Sequence, residues 1–471
     1  MSILPVVLWS DIFLWLLVGA GIAVGWVARH NEPLRKSWQQ VGKSAGGMAA
    51  AAVLGFFLLV GLADSFHYRT RLAAAGTEAP DKPQYSVEVL SVLDVMLADL
   101  RKQKEKTYSE PFATRLYGKE MIDQPDGTQV RDYPRLRYGG AHLKNEAEAS
   151  GDIAGRAIQG VMSGLAAWLI LVLGVVALQK RRSGENFASA LAKIAQGKTV
   201  IAWRAFFVSL AIIFMLGGAA YVLSGGYHIF GTDKVGQNVL YLSLKSIRTA
   251  LVIGLVTTLV LLPLAVLLGI LAGYFRGWVD DVIQYIYTTI NSIPGVLLIA
   301  AAVMMMQVVI DTHPQWFATA AERADVRLLS LCMILGMTSW TGLCRVLRGE
   351  TLKLAQLDYI QAAHSFGVAH MRIVWRHLLP NLMHIVLIAV VMDFSALVLA
   401  EAVLSYVGIG VDPTTISFGT MINNARMELA REPMVWWSLL AAFTFMFTLV
   451  LAANLFADAV RDAFDPRVSG S

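Results

Sequence analysis

Charge is scarce in this chain: Asp, Glu, Lys and Arg make up 15% of its 471 residues, while 56% are hydrophobic. A water-soluble protein of this size needs a more polar surface, so the surplus apolar residues are expected to face lipid. Cysteine is nearly absent. Cys332 and Cys344 lie in one apolar segment, so neither a disulfide framework nor a paired-cysteine zinc site is readable. Both are expected to be buried thiols. The net charge of +5 is modest, and no run of Lys and Arg forms a stripe suited to nucleic acid, which is not an expected partner. A cleavable secretory signal is not expected either. No Lys or Arg precedes the first apolar stretch, and Asp11 sits inside it.

Catalytic signatures are also missing. Gly197-Lys198-Thr199 resembles the end of a phosphate-binding loop, but Ala192 stands where that loop needs glycine, and no soluble strand precedes it. The 9 histidines include no HExxH pair, and His364, His370 and His377 recur without carboxylate or thiolate neighbours at ligand spacing. No GxSxG elbow occurs. The chain is therefore not expected to be an enzyme, to hold a metal or to carry a cofactor of its own.

What the chain has in quantity is apolar helix. A helix satisfies its own backbone in hydrocarbon and needs roughly 20 apolar residues to cross it. Segments at 6–28, 45–63, 157–178, 203–223, 249–273, 285–308, 327–345, 382–407 and 435–457 qualify, and 249–273 carries no charge at all. The expected fold class is an all-α polytopic membrane protein of nine spanning helices. The 29–44 loop holds Arg29, Arg35, Lys36 and Lys43 against Glu32. The 179–200 loop holds Lys180, Arg181, Arg182, Lys193 and Lys198 against Glu185. Excess positive charge marks both as cytoplasmic. The N-terminus is then outside and the C-terminus inside.

Four regions are expected: 1–63, two membrane helices; 64–155, a small extracytoplasmic domain; 156–199, a third extra helix with its cytoplasmic linker; and 200–471, a core of six further spanning helices. The 64–155 region is polar and broken by Pro80, Pro83, Pro111, Pro125 and Pro134, with a tight turn at Pro125-Asp126-Gly127 and an amphipathic helix over 86–106. A docking surface for a partner protein, a lid or a stabilising annex are the roles open to it; so is a plain solvated loop.

The most informative segment runs from Arg345 to Asn381. It is too polar to span, yet Tyr359, Ala362, Ala363, Phe366, Met371, Val374, Trp375 and Leu378 recur at helical spacing. Gly367 permits a sharp break, and Pro380 suits the start of the next membrane helix. These features describe a short helix on the cytoplasmic face, joined rigidly to two spanning helices. An ordinary interfacial helix would look the same.

Gln361-Ala362-Ala363, Gly367 and Leu379-Pro380 resemble the EAA signature of binding-protein-dependent ABC importer permeases, with Gln361 in place of the family's Glu and His377 in place of its usual Ile. Three more stretches resemble the C-type subunit of dipeptide and oligopeptide importers. They are His228 to Gly236 (HxxGTDxxG, with His228, Gly231, Thr232 and Asp233), Glu401 to Gly410 (EAxLSFLGLG), and Asp458 to Arg467 (GDxLRDxLDPR, with Ala457 replacing the glycine). The resemblance covers roughly residues 200–467; the first 199 residues depart from it.

The resemblance implies an ATP-driven importer with di- or oligopeptides as cargo. Its partners would be a second homologous permease, two ATPase subunits that bind ATP and Mg, and an extracytoplasmic solute-binding protein, all at a bacterial inner membrane. The 346–381 loop would supply the coupling helix. Ala362, Ala363 and Gly367 would touch the ATPase, with Asp358 and Arg372 as flanking charges and Gln361, Leu379 and Pro380 completing the motif. Asp393 and Glu401, eight residues apart in one spanning helix, either line the pathway, meet the partner permease or form a buried structural pair. Thr232 and Asp233 could cap a helix over 237–250. An ion-gradient-driven secondary transporter is the alternative reading, and a membrane enzyme or sensor a weaker one.

Overall fold

A computed structural model describes residues 3–71, 85–123, 129–183, 192–194, 196–197, 199–317 and 319–464. Pro80, Pro83, the Pro125-Asp126-Gly127 turn, Glu185, Lys198 and Asp465-Pro466-Arg467 lie outside the described residues. In chain order the elements begin with β1 (Ile3–Val6), α1 (Trp9–His30), α2 (Glu32–Lys43), α3 (Ala45–Asp64), β2 (His67–Thr70), β3 (Leu90–Ser91), α4 (Val92–Met96) and α5 (Ala98–Lys102). Next come β4 (Glu120–Asp123), β5 (Gln129–Asp132), α6 (Ala149–Ser183), α7 (Trp203–Ser224) and α8 (Val239–Phe275). The rest are α9 (Gly277–Ser292), α10 (Gly295–Thr312), α11 (Ala320–Ser339), α12 (Thr341–Leu354), α13 (Asp358–Ser365), α14 (His370–Ile373), α15 (Leu379–Val407), α16 (Phe418–Leu429) and α17 (Trp437–Phe464).

Among the described residues nine helical stretches are long and apolar enough to cross a membrane: Trp9–His30, Ala45–Asp64, Glu146–Ala177, Trp203–Ser224, Val239–Phe275, Gly295–Thr312, Ala320–Leu354, His370–Val407 and Trp437–Phe464. The chain is thus an all-α polytopic membrane protein with short strands at its margins. Each expected segment finds a counterpart, and the differences have local causes. The separate helix over 237–250 is instead the first part of α8, which continues through Pro263 without a break. The 285–308 segment is cut in two. Pro294 donates no N–H and holds Ile293 extended (φ −92°, ψ 132°), so α9 stops at Ser292 and α10 starts at Gly295. The amphipathic helix over 86–106 breaks at Leu97 into the short α4 and α5.

The chain packs as two compact units. The first comprises Met1–Val6, Trp38–Thr249 and Ile416–Phe456. Here α6 and α7 approach through glycines: a Cβ on Gly164 would lie 2.1 Å from the Phe214 carbonyl oxygen, and one on Gly160 2.6 Å from that of Gly218. Small residues one turn apart let membrane helices meet backbone to backbone where no hydrophobic effect drives them together. Strands β1, β2 and β3 form an antiparallel sheet in which Ile3 faces Thr70 and Val6 faces His67; β4 and β5 form a hairpin.

The second unit comprises Val7–Ser37, Ala250–Thr415 and Ala457–Ser471. One core joins Val252, Ile253 and Val256 of α8 to Leu328, Leu331 and Leu335 of α11 and Leu404 of α15. A second joins Leu261, Ala265 and Ala272 of α8 to Leu343 and Leu347 of α12, Ile360 of α13, and Ile373, Leu378 and Leu382. Asp11 is buried in α1, and the neighbouring Ser10 donates its N–H to Asp325 of α11 at 3.2 Å. Cys332 and Cys344 are free and buried.

Candidate functional site

Two groups of residues carry the sequence motifs, one in each unit. In the second unit, the segment after α12 folds as α13, a left-handed turn at Gly367, α14, and one wide π-turn (Val374–Leu378) that leads into α15. Gly367 has φ +71°, and Val368 donates its N–H back to the Ala363 carbonyl, a helix stop that glycine makes without steric cost. A Cβ at Gly367 would meet nothing within 4 Å, so it is the backbone, not packing within the chain, that calls for glycine.

The segment has two unlike faces. Ile360, Ile373, Val374 and Leu378 are buried in the core around Leu347 and Leu382. On the other face Phe366 is 86% exposed, Trp375 68% and Met371 57%. Gln361, Ala362, Asp358, Arg372 and Pro380 are exposed; Ala363 and Leu379 are half-buried. Gln361 donates from Nε2 to the Gln356 carbonyl at 3.1 Å, a local bond where the family has a carboxylate. Arg348 of α12 grips Asp280 of α9 through two bonds of 2.5 and 2.6 Å, and these bonds hold the Asp280 carboxyl below the usual range. The chain entering the segment is therefore clamped to its neighbour. A rigid arm with an uncovered apolar tip is the result.

Within the same unit, Glu401 is buried and accepts from Ser405 Oγ at 2.7 Å. Asp393 is half-buried, and among the described residues its carboxylate has no hydrogen-bond partner. Gly408, at φ +87°, ends α15. The terminal motif is described as far as Phe464, where Arg461 pairs with Asp458 at 3.1 Å.

In the first unit the motif from His228 to Gly236 is enclosed. Asn238 accepts from Leu240 N at its Oδ1, which turns its Nδ2 toward Nδ1 of His228 (3.2 Å). The ring's Nε2 then carries the proton and donates to Glu105 Oε1 at 3.1 Å. Asn238, and neither Thr232 nor Asp233, caps α8. Asp233 instead accepts from Val235 N and Gln237 N within its own turn. Thr232 Oγ1 accepts from Ser109 N (2.7 Å) and donates to the Thr107 carbonyl (2.8 Å). Gly231 has φ +64°, and a Cβ there would fall 2.3 Å from the Ser109 carbonyl oxygen. Buried Trp437 of α17 donates to the Thr232 carbonyl at 2.9 Å.

Two buried carboxylates from residues 64–155 help to hold the first unit together, Glu105 beside the motif and Asp94 beside α8. Glu105 accepts from the backbone N–H groups of Arg137, Tyr138 and Gly139 as well as from His228. Burial pushes its pKa up, but these donors outweigh it and hold the carboxyl below the ordinary glutamate range. Asp94, the third residue of α4, closes a capping box with Ser91 and pairs with Lys245 of α8 at 2.9 Å; Asp64 pairs with the same ammonium at 2.9 Å. Burial raises Asp94 too, and is outweighed first by the Lys245 charge.

Glu105 contributes stability that is fully present above the unfolded glutamate pKa of about 4.3 and is lost as pH falls through its lower folded value. Glu105→Gln is expected to cost about 1.5–3 kcal/mol locally, the worth of charged hydrogen bonds. Hydrogen–deuterium exchange over residues 135–140 should speed up in that variant at neutral pH. Wild type should match it only in strong acid, after correction for intrinsic rates. Equal protection at neutral pH would remove Glu105 from the role.

Residues 265–470 match the family of binding-protein-dependent transport system inner membrane components. The glutathione transport system permease protein of Pectobacterium atrosepticum is 31% identical over 243 residues, 51% of this chain and 73% of that relative. The dipeptide transport system permease protein of Lactococcus lactis is 30% identical over 242 residues, and the match spans 64% of its length. The oligopeptide transport system permease protein of Mycobacterium tuberculosis is 27% identical over 282 residues, 56% of this chain and 90% of the relative. The chain belongs to this family of membrane-embedded transport permeases.

Sequence reasoning missed Glu105, Asp94 and Lys245, which organise the first unit. Lys245 had a signal, one of two basic residues, with Arg248, in an otherwise apolar helix. Ser91 and Asp94 had another, the spacing of a capping box.

Proposed function

We propose that the chain is one of two permease subunits of an ATP-driven importer for short peptides, and that its 346–381 segment docks on a separate ATPase subunit. The observation that carries this is the uncovered apolar tip formed by Phe366, Met371 and Trp375 on an arm whose opposite face is locked into the core. Exposed aromatic side chains on a rigid support mark a protein contact. Ala362, Ala363 and Gly367 lie beside that tip, with Asp358 and Arg372 at its edge. ATP and Mg would be bound by the ATPase pair, whose closure would draw the arms together and rock the spanning helices between two states.

Positive charge in the 29–44 and 179–200 loops supports a cytoplasmic side shared with the 346–381 segment, a cytoplasmic C-terminus and an outward N-terminus. The pairing of β1 with β2 supports it too, because residues 3–6 lie beside 67–70 after two spanning helices. By the same count 64–155, the His228–Gly236 loop and 408–436 face the outside, where a solute-binding protein would deliver cargo. Peptide cargo is the reading supported by the relatives' dipeptide and oligopeptide transport systems.

A Phe366→Ser, Trp375→Ser variant tests the docking. Both side chains are exposed, so stability should stay within about 0.5 kcal/mol of wild type. Co-purification of the ATPase subunits and ATP-dependent peptide uptake should both fall at least about tenfold, as loss of a hot-spot pair implies. A variant that retains its ATPase and its uptake would send the search for the coupling surface elsewhere. Uptake that survives ATP depletion but not collapse of the ion gradient would favour a secondary transporter.

A further inference from the structure

Glu428 stands apart from every role assigned so far. It ends α16 on the side proposed to face outward, and it is 4% exposed. Its Oε1 accepts from Tyr108 OH at 3.2 Å, while its Oε2 is covered and has no hydrogen-bond partner among the described residues. A buried carboxylate oxygen without a donor is costly, and native folds rarely keep one without a use. Glu428 lines a cavity of about 340 Å³ together with Thr107, Tyr108, Lys234, Asn424, Met427 and Arg431. That volume sits at the small end of ligand pockets, which run from about 300 to 1,000 Å³.

The lining is polarised. Glu428 is its one acid and is deep; Lys234 and Arg431 are exposed and at the rim. Arg431 lies over the Tyr108 ring, 5.2 Å from its centroid, and so keeps a fixed station beside the opening. Lys234 and Arg431 make no ion pair among the described residues. A ligand that carries a donor cation at one end and an anion at the other satisfies all three groups at once. Met427 and Lys234, which line the cavity with Glu428, are exposed side chains able to change rotamer as a ligand enters.

We propose that this cavity binds the free ammonium of a short zwitterionic ligand, a di- or tripeptide in chemical class. The ammonium would donate to Glu428 Oε2, and the carboxylate would lie against Lys234 and Arg431. A site so built holds small cargo at the outer mouth of the permease and rejects ligands whose amino end is blocked. The proposal rests on the importer reading only for placing the cavity on the side from which cargo arrives.

Equilibrium binding to the purified full chain in lipid nanodiscs needs no partner subunit, so it separates the two ideas. The probes are L-alanyl-L-alanine, its N-acetyl derivative and its C-terminal amide. The dipeptide is expected to bind saturably. N-acetylation and Glu428→Gln should each weaken binding at least about tenfold, the effect of losing one charge-assisted hydrogen bond. Lys234→Ala with Arg431→Ala should erase the preference for the free acid over the amide, and it stays informative should Glu428→Gln fail to fold. Absence of saturable binding at millimolar dipeptide, or equal affinity for the acetylated probe, overturns the proposal. Binding without ATP-driven uptake would fault the importer reading and leave the cavity standing.

Discussion

Lys245→Met is expected to destabilise the first unit by about 3–5 kcal/mol, the range found when one member of a buried ion pair is removed and the other is left unpaired. The reason is geometric. One ammonium, itself largely buried, serves two carboxylates, Asp64 at the end of α3 and Asp94 in α4, each within 2.9 Å and each almost fully buried. Tyr241 OH adds a bond of 2.7 Å to Asp94 Oδ1, and Ser91 Oγ donates to Asp64 at 2.6 Å. Without the lysine these hydroxyls remain but both carboxylates lose the ammonium they pair with. The apparent melting temperature of the purified protein should fall by an amount visible in any thermal assay. Adding Asp64→Asn and Asp94→Asn to Lys245→Met should recover much of the loss, because the uncompensated charges go with them. An unchanged melting temperature in the single variant would mean that the pairing contributes nothing net. The cluster ties residues 64–155 to α8, so loosening it should also raise exchange rates across α4 and β3.

Gly367→Asp is expected to abolish transport while sparing the fold. A non-glycine residue at φ +71° costs about 1–2 kcal/mol, less for Asp or Asn, whose side chains bond locally. Nothing in the chain lies near a Cβ there, so no clash adds to that cost. Gly367→Asn carries the same backbone penalty without the charge and serves as the control. If the turn meets an ATPase subunit closely, Asp buries an unpaired charge in that contact, and uptake should drop at least about a hundredfold at normal expression, as about 3 kcal/mol implies. Asn should lose far less. Near-normal uptake with Asp would refute the contact. Equal losses with Asp and Asn would assign the effect to the turn itself.

Much of this protein was legible before any coordinates. Lipid imposes a harsh rule, since a spanning backbone must satisfy itself, so runs such as 249–273 announce their helices by composition alone. Turn chemistry was readable for a related reason: Gly367 and Pro380 act through their own backbones. The apolar spacing from Tyr359 to Leu378 marked a helical arm, and the four motif stretches pointed to a transport permease.

Which face of that arm is covered was a different matter. Tyr359, Phe366 and Trp375 share a periodicity with Ile360, Ile373 and Leu378, and only the core around Leu347 and Leu382 separates the buried set from the exposed one. Hydrogen-bond partners were equally beyond reach. Glu105 and His228 are 123 residues apart, and Tyr108 and Glu428 are 320 apart. Neither spacing carries a signal, because a polar pair across such a separation depends on where the intervening helices turn, not on its own residue types. Local backbone chemistry and hydropathy are properties of short windows, and the sequence determined them. Burial, charge pairing and the cavity at Glu428 are properties of surfaces brought together, and tertiary structure alone decided those.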